Sequence, residues 1–157
     1  MNKEETRKRL EEYFRDYDTG DYRLTLNKHY TEDAVFENTR VKIIGRNNII
    51  EWFTRSHALG YTEKLVPVNI LIGENTAAVE LEQEFTALED VPNHYVVSMN
   101  KGDIVKTSGV SAFYKMKDDK IYSVRVYCTL NEYNPQVFKG CSISPNPPLQ
   151  QTRFTRG

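Results

Sequence analysis

Polar side chains that could orient or protonate a small molecule are spread along this sequence. They are Tyr13, Tyr17, Asn38, His57, Gln83 and Ser111. Hydroxyl, amide and imidazole groups in an apolar setting can hold a carbonyl or a phenol by hydrogen bonds. We therefore expect these side chains to face one apolar cavity that binds a small apolar ligand.

His57 is the best candidate for proton transfer, because the ordinary pKa of an imidazole lies close to neutral pH. Its spacing places it on the same helical face as Ile50 and Phe53. A competing interpretation makes His57 a surface residue at the end of its helix, where its cationic form favours the helix dipole. Tyr13 also has two interpretations, as a ligand-facing residue or as a core tyrosine whose hydroxyl is satisfied within the protein.

Simpler roles are open to other candidates. Asn38 could hold the bend after its strand, and Ser111 could be a small polar residue within a strand. Trp52, at its helical spacing, is more typical of a core than of a binding platform. The remaining ligand contacts are predicted to come from inward-facing aromatic and apolar side chains, namely Trp52, Phe53, Phe85, Phe113 and Val126.

The helices that position these residues follow from the hydrophobic spacing. Four residues recur on one helical face: Leu10, Tyr13, Phe14 and Tyr17. They predict a first helix over about residues 3–18, which Asn2 and Glu5 begin as a capping box. Gly20 is a stop signal, and Asp21 can cap a second helix that ends near Tyr30. A short strand is predicted at residues 34–38, and a third helix follows Gly45 over residues 46–57.

From residue 62 onward the spacing changes to the alternation of strands. The residues predicted to face inward are Val66, Val68, Ile70 and Ile72, then Val79, Leu81, Gln83 and Phe85. A two-residue turn at Glu74-Asn75 would place Ile70 opposite Val79 and Val68 opposite Leu81. The glutamates at 80, 82 and 84 then face water, although a one-residue shift of register would turn them into the pocket. The segment 89–102 is predicted to be a long connection, either a lid or a loose hairpin end.

The last hairpin is predicted over about residues 103–131, with its turn at residues 118–119. This turn would pair Ser111 with Val126 and Phe113 with Val124. The opposite face would then carry Val110, Ala112, Tyr114, Arg125 and Tyr127. So much apolar and aromatic surface favours a homodimer through the outer face of the sheet, although the tail could fold over it instead.

Length and charge limit the class of protein. A chain of 157 residues fits one domain, predicted at residues 1–131, and a polar, proline-containing C-terminal arm at 132–157. Lys and Arg total 21 against 22 acidic residues, so no basic field attracts nucleic acid or a membrane surface. The charged N-terminus and the lack of long apolar runs predict a cytoplasmic protein without membrane spans.

Motifs for metals and nucleotides are missing from the sequence. The three histidines have no metal-ligand spacing, and there is neither a P-loop nor a GxGxxG fingerprint. Cys128 and Cys141 are expected to be free thiols. We therefore expect no metal and no cofactor.

The order of elements resembles that of the nuclear transport factor 2-like superfamily, especially its SnoaL-like polyketide cyclase and ketosteroid isomerase-like branch. The resemblance spans about residues 5–130. It is carried by Tyr13 seven residues before Gly20-Asp21, by residues 30–36, by Gly45, and by residues 113–116 and 121–125. It implies an α+β fold in which a cone-shaped, curved antiparallel sheet wraps around three N-terminal helices and leaves an internal cavity. It also implies a homodimer.

The resemblance to ketosteroid isomerase assigns roles to three positions. That enzyme combines a carboxylate base with an oxyanion hole formed by a tyrosine and a protonated aspartic acid. Tyr13 matches the position of the tyrosine, whereas Asn38 stands at the position of the base and Ser111 at that of the protonated acid. An amide cannot remove a proton from carbon, and a serine hydroxyl donates less effectively than a carboxylic acid. Steroid isomerisation is therefore not expected.

Two hypotheses follow. The first is a SnoaL-like, cofactor-free proton-transfer enzyme that acts on a small apolar carbonyl compound by cyclisation, isomerisation or dehydration. His57 would be its acid or base, and Tyr13 would donate a hydrogen bond to the developing oxyanion. The alternative is a non-catalytic ligand-binding or accessory dimeric module, which the missing carboxylates favour.

Overall fold

Three helices form the N-terminal part of the described chain, which covers residues 1–128, 136–138 and 149–151 of the computed structural model. The helices are α1 (Lys3–Tyr17), α2 (Tyr22–His29) and α3 (Arg46–His57). Their bounds agree with the predicted ones to within a residue or two. No helix in this part of the chain is long and apolar enough to cross a membrane.

The first two helices begin at the predicted capping residues. The Asn2 side chain accepts from the Glu5 N–H, and the Glu5 carboxylate accepts from the Asn2 N–H, so the capping box is confirmed. The Asp21 carboxylate accepts from the Leu24 N–H at 3.0 Å. Gly20 separates the two helices with a φ of 78°, which a residue without a side chain adopts easily.

The strands form one curved, unclosed sheet. Six of them are β1 (Tyr30–Glu37), β2 (Lys42–Ile44), β3 (Tyr61–Gly73), β4 (Thr76–Ala87), β5 (Ile104–Lys117) and β6 (Lys120–Cys128), in the order β2-β1-β6-β5-β4-β3. The predicted α+β fold class is confirmed. The sheet is mixed rather than wholly antiparallel, because β1 runs parallel to its neighbour β6.

The predicted C-terminal arm lies mostly outside the described residues, and so does Cys141. Two of its segments are described, β7 (Gln136–Phe138) and β8 (Leu149–Gln151). The β7 strand pairs antiparallel with the start of β5 and with β8. The division of the chain at residue 131 stays a prediction.

The β3–β4 hairpin confirms part of the predicted register. Its turn lies at Glu74-Asn75, and Ile70 is opposite Val79. Val68 is not opposite Leu81, because a bulge after Pro67 shifts the pairing and leaves Val68 56% exposed. Proline has no N–H for the ladder, which explains the irregularity at this point.

The bulge changes which residues in the first half of β3 face inward. They are Tyr61, Glu63 and Leu65, and beyond the bulge the predicted Ile70 and Ile72 pack against the core. On β4 the predicted inward residues are buried, namely Val79, Leu81, Gln83 and Phe85. Glu80 and Glu82 are exposed, as predicted. The acidic side chain that enters the interior therefore comes from β3.

The β5–β6 hairpin turns at Asp118-Asp119 as predicted, but its register was wrong by one residue. Ala112 pairs with Val126 and Tyr114 with Val124. A bulge at Met116, close to the turn, produces the shift because it leaves one residue of β6 unpaired. A one-residue shift exchanges the two faces of a strand. The concave face therefore carries Val110, Ala112 and Tyr114, and the outer face carries Ser111 and Phe113.

The interior contains two groups of packed side chains. The larger one joins the three helices to the sheet through an aromatic network around Tyr13, Tyr17 and Phe53. The smaller one lies beneath the segment 88–103 and is centred on Phe85. The space between the helices and the concave face remains partly open.

Candidate functional site

A pocket of about 420 Å³ lies between the helices and the concave face of the sheet. The predicted site residues that line it are Tyr13, Tyr17, Asn38, Trp52, Phe53, His57, Gln83 and Val126. Helices α1 and α3 provide one wall, and β3 to β6 provide the other. A pocket of this volume is large enough for a small ringed molecule.

Three predicted contacts do not line the pocket. Ser111 and Phe113 lie on the outer face of the sheet, because the Met116 bulge reverses the predicted faces of β5. Phe113 is 48% exposed. Phe85 faces inward as predicted, but it is fully buried in the smaller core beside Tyr61 and His94. Ala112 occupies the inward position on β5 that was assigned to Ser111.

His57 and Glu63 form a short buried contact. The Nε2 atom of His57 lies 2.5 Å from Oε2 of Glu63, and the two side chains are only 9% and 8% exposed. The Nδ1 atom of His57 lies 2.7 Å from the carbonyl oxygen of Phe53. The interpretation of His57 as a surface residue is therefore wrong.

The hydrogen-bond partners of the pair indicate where its protons lie. A carbonyl oxygen only accepts, so Nδ1 of His57 carries a hydrogen and donates it to Phe53. An unprotonated Nε2 and a carboxylate oxygen are both acceptors, so a hydrogen bond between them requires one proton on one of the two atoms. The pair is therefore either imidazolium with carboxylate or imidazole with carboxylic acid, and it has no net charge in either form.

Neighbouring polar groups hold the carboxyl group of Glu63 in place. The Tyr17 hydroxyl donates to Oε2 at 3.3 Å, and Nε2 of Gln83 donates to Oε1 at 3.0 Å. The Thr107 hydroxyl in turn donates to the amide oxygen of Gln83 at 3.2 Å. We call Tyr17, His57, Glu63 and Gln83 the polar cluster. It can give up or accept one proton inside an aromatic pocket.

Glu63 was missed by the sequence analysis. The sequence signal that could have found it is the alternation of Tyr61, Glu63 and Leu65. These three residues are identified as the inward face of β3 only if the bulge at Pro67 is recognised. The loop residues of the pocket, His94 and Tyr95, were missed as well, because no periodicity assigns a side to an irregular segment. The Tyr95 hydroxyl accepts from Gln83 at 3.3 Å.

Tyr13 and Tyr30 form a second polar pair in the core. Their hydroxyl oxygens lie 3.0 Å apart. Burial raises the pKa of both side chains, so each keeps its proton. The two hydroxyl groups carry two protons, and only one of these protons lies in the hydrogen bond between them. Either hydroxyl can be the donor; when Tyr30 donates to Tyr13, the hydroxyl proton of Tyr13, which lines the pocket, is left for another acceptor.

Asn38 lines the pocket and also holds the bend after β1. Its side-chain oxygen accepts from the N–H groups of Arg40 at 2.8 Å and Val41 at 2.9 Å. This is the bend-forming role that was one of its two interpretations. In the described part of the chain, no group of three or more His, Cys, Asp or Glu side chains is arranged to hold a metal ion.

Comparison with known proteins gives a consistent assignment. The family model described as the SnoaL-like domain matches residues 10–124. No protein with a curated description matches the chain. The fold is similar to that of two proposed polyketide cyclases, from Xanthomonas campestris and a Silicibacter species, each 20% identical. Their TM-scores are 0.64 and 0.65, and the matches cover 84% and 83% of this chain and 96% and 93% of those chains.

A third similar structure is an epoxide hydrolase of the LEH-like type from M. tuberculosis. It is 15% identical with a TM-score of 0.63, and the match covers 82% of this chain and 85% of that one. At these identities the likeness establishes the fold alone.

Proposed function

The chain belongs to the family of SnoaL-like domain proteins, and from this premise we propose that it is a cofactor-free proton-transfer enzyme. Its substrate is a small, largely apolar carbonyl compound that binds in the pocket between the helices and the sheet. The reaction is an isomerisation, a cyclisation or a dehydration. Each of these begins with proton transfer next to a carbonyl group.

The observation that carries the proposal is the buried contact of 2.5 Å between Nε2 of His57 and Oε2 of Glu63, two groups that can hold one proton between them. Donation of that proton to the carbonyl oxygen leaves the pair one proton short. The pair regains it by removing a proton from the neighbouring carbon, and the electrons of that C–H bond form the double bond of an enol. The pair thus returns to its starting state, and when the enol is conjugated with a second double bond, return of a proton to the far carbon of this dienol and loss of the O–H proton complete an isomerisation.

Tyr13 assists at the oxygen in this scheme. With Tyr30 as the donor within the pair, the Tyr13 hydroxyl donates a hydrogen bond to the same carbonyl oxygen, where a fixed donor in an apolar pocket stabilises partial negative charge. The aromatic side chains around the polar cluster exclude water and provide flat contact surfaces. They favour a ringed substrate.

Proton exchange measures this activity without knowledge of the natural substrate. The probe is 2-tetralone in D2O, whose hydrogens next to the carbonyl are followed by NMR. The wild-type protein is expected to accelerate their exchange over buffer. Glu63→Gln, which keeps the shape of the side chain but removes its proton transfer, is expected to lose about 100-fold or more of that acceleration.

The matched control is Glu82→Gln, which removes a carboxylate from the exposed face of the neighbouring strand β4. Its exchange rate is expected to equal that of the wild type. Circular dichroism establishes that both variants are folded. Exchange by the wild type at the buffer rate, or equal rates for Glu63→Gln and the wild type, would rule the enzyme out.

The alternative, a non-catalytic binding module, is favoured by one observation. Both carboxyl oxygens of Glu63 already have partners within the protein, as in a purely structural buried pair. This alternative predicts that 2-tetralone raises the melting temperature of the wild type and of Glu63→Gln alike, with no exchange in either.

A further inference from the structure

Tyr114 lies on the concave face of β5 and lines the pocket. Its ring packs edge to face against Tyr13 and Phe14 of α1, with the ring centroids 6.0 and 5.9 Å apart. The residue is only 2% exposed. The contact between α1 and the sheet therefore holds the Tyr114 ring beside Tyr13 in the pocket wall.

The hydroxyl group of Tyr114 has no hydrogen-bond partner among the described residues. The other tyrosines that line the pocket are all hydrogen-bonded within the protein. Tyr13 is bonded to Tyr30, Tyr17 to Glu63, Tyr61 to the carbonyl oxygen of Ser56, and Tyr95 to Gln83. Tyr114 therefore differs from them in having a hydroxyl group that the protein leaves free.

This hydroxyl group is also open to the pocket. Among the described residues, the polar side-chain atoms that lack both a partner and accessible surface are Thr31 Oγ1, Arg46 Nε and His94 Nε2. The Tyr114 oxygen lacks a partner but is not one of them, so it keeps accessible surface. Since the rest of Tyr114 is buried and the residue lines the pocket, the space that its oxygen contacts belongs to the pocket.

The surroundings of Tyr114 keep the proton on its hydroxyl group. Burial raises the pKa of Tyr114 well above its ordinary value, and the neighbouring Tyr30 and Glu63 raise it further. Glu63 raises the pKa of Tyr13 as well. Both hydroxyl groups therefore lie within the field of the polar cluster, and Tyr114 presents an O–H donor there at neutral pH.

We infer that Tyr114 is a ligand-binding residue whose hydroxyl group donates a hydrogen bond to an oxygen of the molecule in the pocket, beside the donor Tyr13. This inference rests on the proposed function and narrows its substrate class. The ligand oxygen lies where α1 meets β5, and it accepts from two tyrosine hydroxyl groups. A carbonyl, enolate or phenolate oxygen has the lone pairs to do so, whereas an ammonium group offers no acceptor.

The first test compares the affinities for 2-tetralone and for tetralin, the same ring system without the carbonyl group. Binding is followed through the fluorescence of Trp52, the only tryptophan, which lines the pocket. Tyr114→Phe keeps the ring against Tyr13 and Phe14 but removes the donor. It is expected to weaken 2-tetralone binding about 10-fold relative to tetralin binding, the factor expected for loss of one hydrogen bond.

The matched control is Tyr122→Phe. It removes a hydroxyl group from a half-buried tyrosine of the neighbouring strand β6 that does not line the pocket. The ratio of the two affinities is expected to equal that of the wild type. Tetralin binding by Tyr114→Phe shows in addition that the pocket of this variant is intact.

The second test reads the hydrogen bond on the ligand itself. The infrared difference between 2-tetralone and 2-tetralone labelled with ¹³C at the carbonyl carbon isolates the carbonyl stretch of the bound probe. Each hydrogen bond to the oxygen weakens the C=O bond and lowers this frequency. The frequency is therefore expected to be higher in Tyr114→Phe than in the wild type and in Tyr122→Phe, a change that a purely structural role of Tyr114 does not produce.

The outcomes separate this inference from the proposed function. An unchanged affinity ratio or an unchanged carbonyl frequency in Tyr114→Phe, or failure of the wild type to bind 2-tetralone, would overturn the assignment of Tyr114. If the ratio and the frequency change as expected while no proton exchange occurs, the assignment stands and the proposed enzyme activity fails.

Discussion

Glu63 holds the polar side chains of the pocket in one arrangement, because its carboxyl group is bonded to Tyr17, His57 and Gln83 at once. Burial of a carboxyl group is unfavourable unless hydrogen bonds replace the lost water. Here three neighbours replace it. The same contacts that stabilise Glu63 also fix the orientation of the His57 ring, so stability and chemistry depend on the same residue.

Removal of the Glu63 carboxyl group is therefore expected to be costly. Glu63→Ala leaves His57 and Gln83 without their buried acceptor, and the free energy of unfolding is expected to fall by about 3–5 kcal/mol. Urea denaturation followed by circular dichroism measures the change. Glu82→Ala on the exposed face should stay within about 0.5 kcal/mol of the wild type. A similar small loss in both variants would show that the polar cluster does not stabilise the fold.

His94 is expected to make the protein sensitive to mild acid. Its pKa is lowered to about 4, so the unfolded chain takes up a proton at this residue before the folded protein does. The contribution of the neutral ring to the free energy of unfolding is complete above the pKa of about 6.5 in the unfolded chain. It is lost as the pH falls from there through the pKa of the folded protein. The shift corresponds to about 3 kcal/mol over this range.

Urea denaturation between pH 7 and pH 4 measures this effect. His94→Gln, which does not titrate, is expected to lose less stability on acidification than the wild type. His29 also has a lowered pKa because it is buried, but it is present in both proteins and its contribution cancels in the comparison. Parallel curves for the two proteins would show that His94 is not the acid-sensitive residue.

At the scale of elements, the helices were predictable and the faces of the strands were only partly so. Helix ends depend on local signals such as the Asn2 capping box and Gly20, and these lie within a few residues of the feature they determine. The faces of β3 and β5 depend on bulges at Pro67 and Met116. A bulge requires knowledge of the partner strand, which the alternation within one strand does not contain.

The same reasoning explains which site residues were found. Gln83 was placed correctly because β4 keeps the expected face throughout its length. Glu63 was not found, because the apolar residues after Pro67 suggested the opposite face for the whole of β3. Ser111 was assigned to the pocket although its neighbour Ala112 occupies that position.

The register of β5 can be tested through the pocket. Ala112 is fully buried and lines the pocket, so Ala112→Leu adds volume where the ligand binds. Overpacking of this kind costs about 1–3 kcal/mol, and 2-tetralone binding is expected to weaken about 10-fold or more. Ser111→Leu, one residue earlier and on the opposite face, should bind the probe like the wild type. The reverse order of the two effects would restore the register predicted from the sequence.

At the scale of the whole molecule, the two faces of the sheet differ in character. The concave face meets the helices and encloses the polar cluster. The outer face presents Phe113 and Tyr127, whose side chains are 48% and 47% exposed. Their rings contact each other edge to face, with the ring centroids 5.7 Å apart. Leu71 lies in the same cross-strand row as Phe113 and is 67% exposed. The apolar outer surface expected from the sequence is therefore present. Tyr127 lies on it as predicted, but Phe113 and Leu71 contribute to it in place of Val110, Ala112 and Tyr114, which are buried.

We propose that this outer surface joins two copies of the chain in a homodimer. Large aromatic side chains grouped on one side of a sheet are typical of interfaces between subunits, because contact removes them from water. Phe113→Glu would place a charge at the centre of the contact, and light scattering after size exclusion is expected to change from a dimer to a monomer. Lys115→Glu, which also changes charge on β5 but lies further along the outer face, is expected to remain dimeric. A wild-type protein that is monomeric at micromolar concentration would contradict the proposal, and the pocket, which is built within one chain, would still bind 2-tetralone.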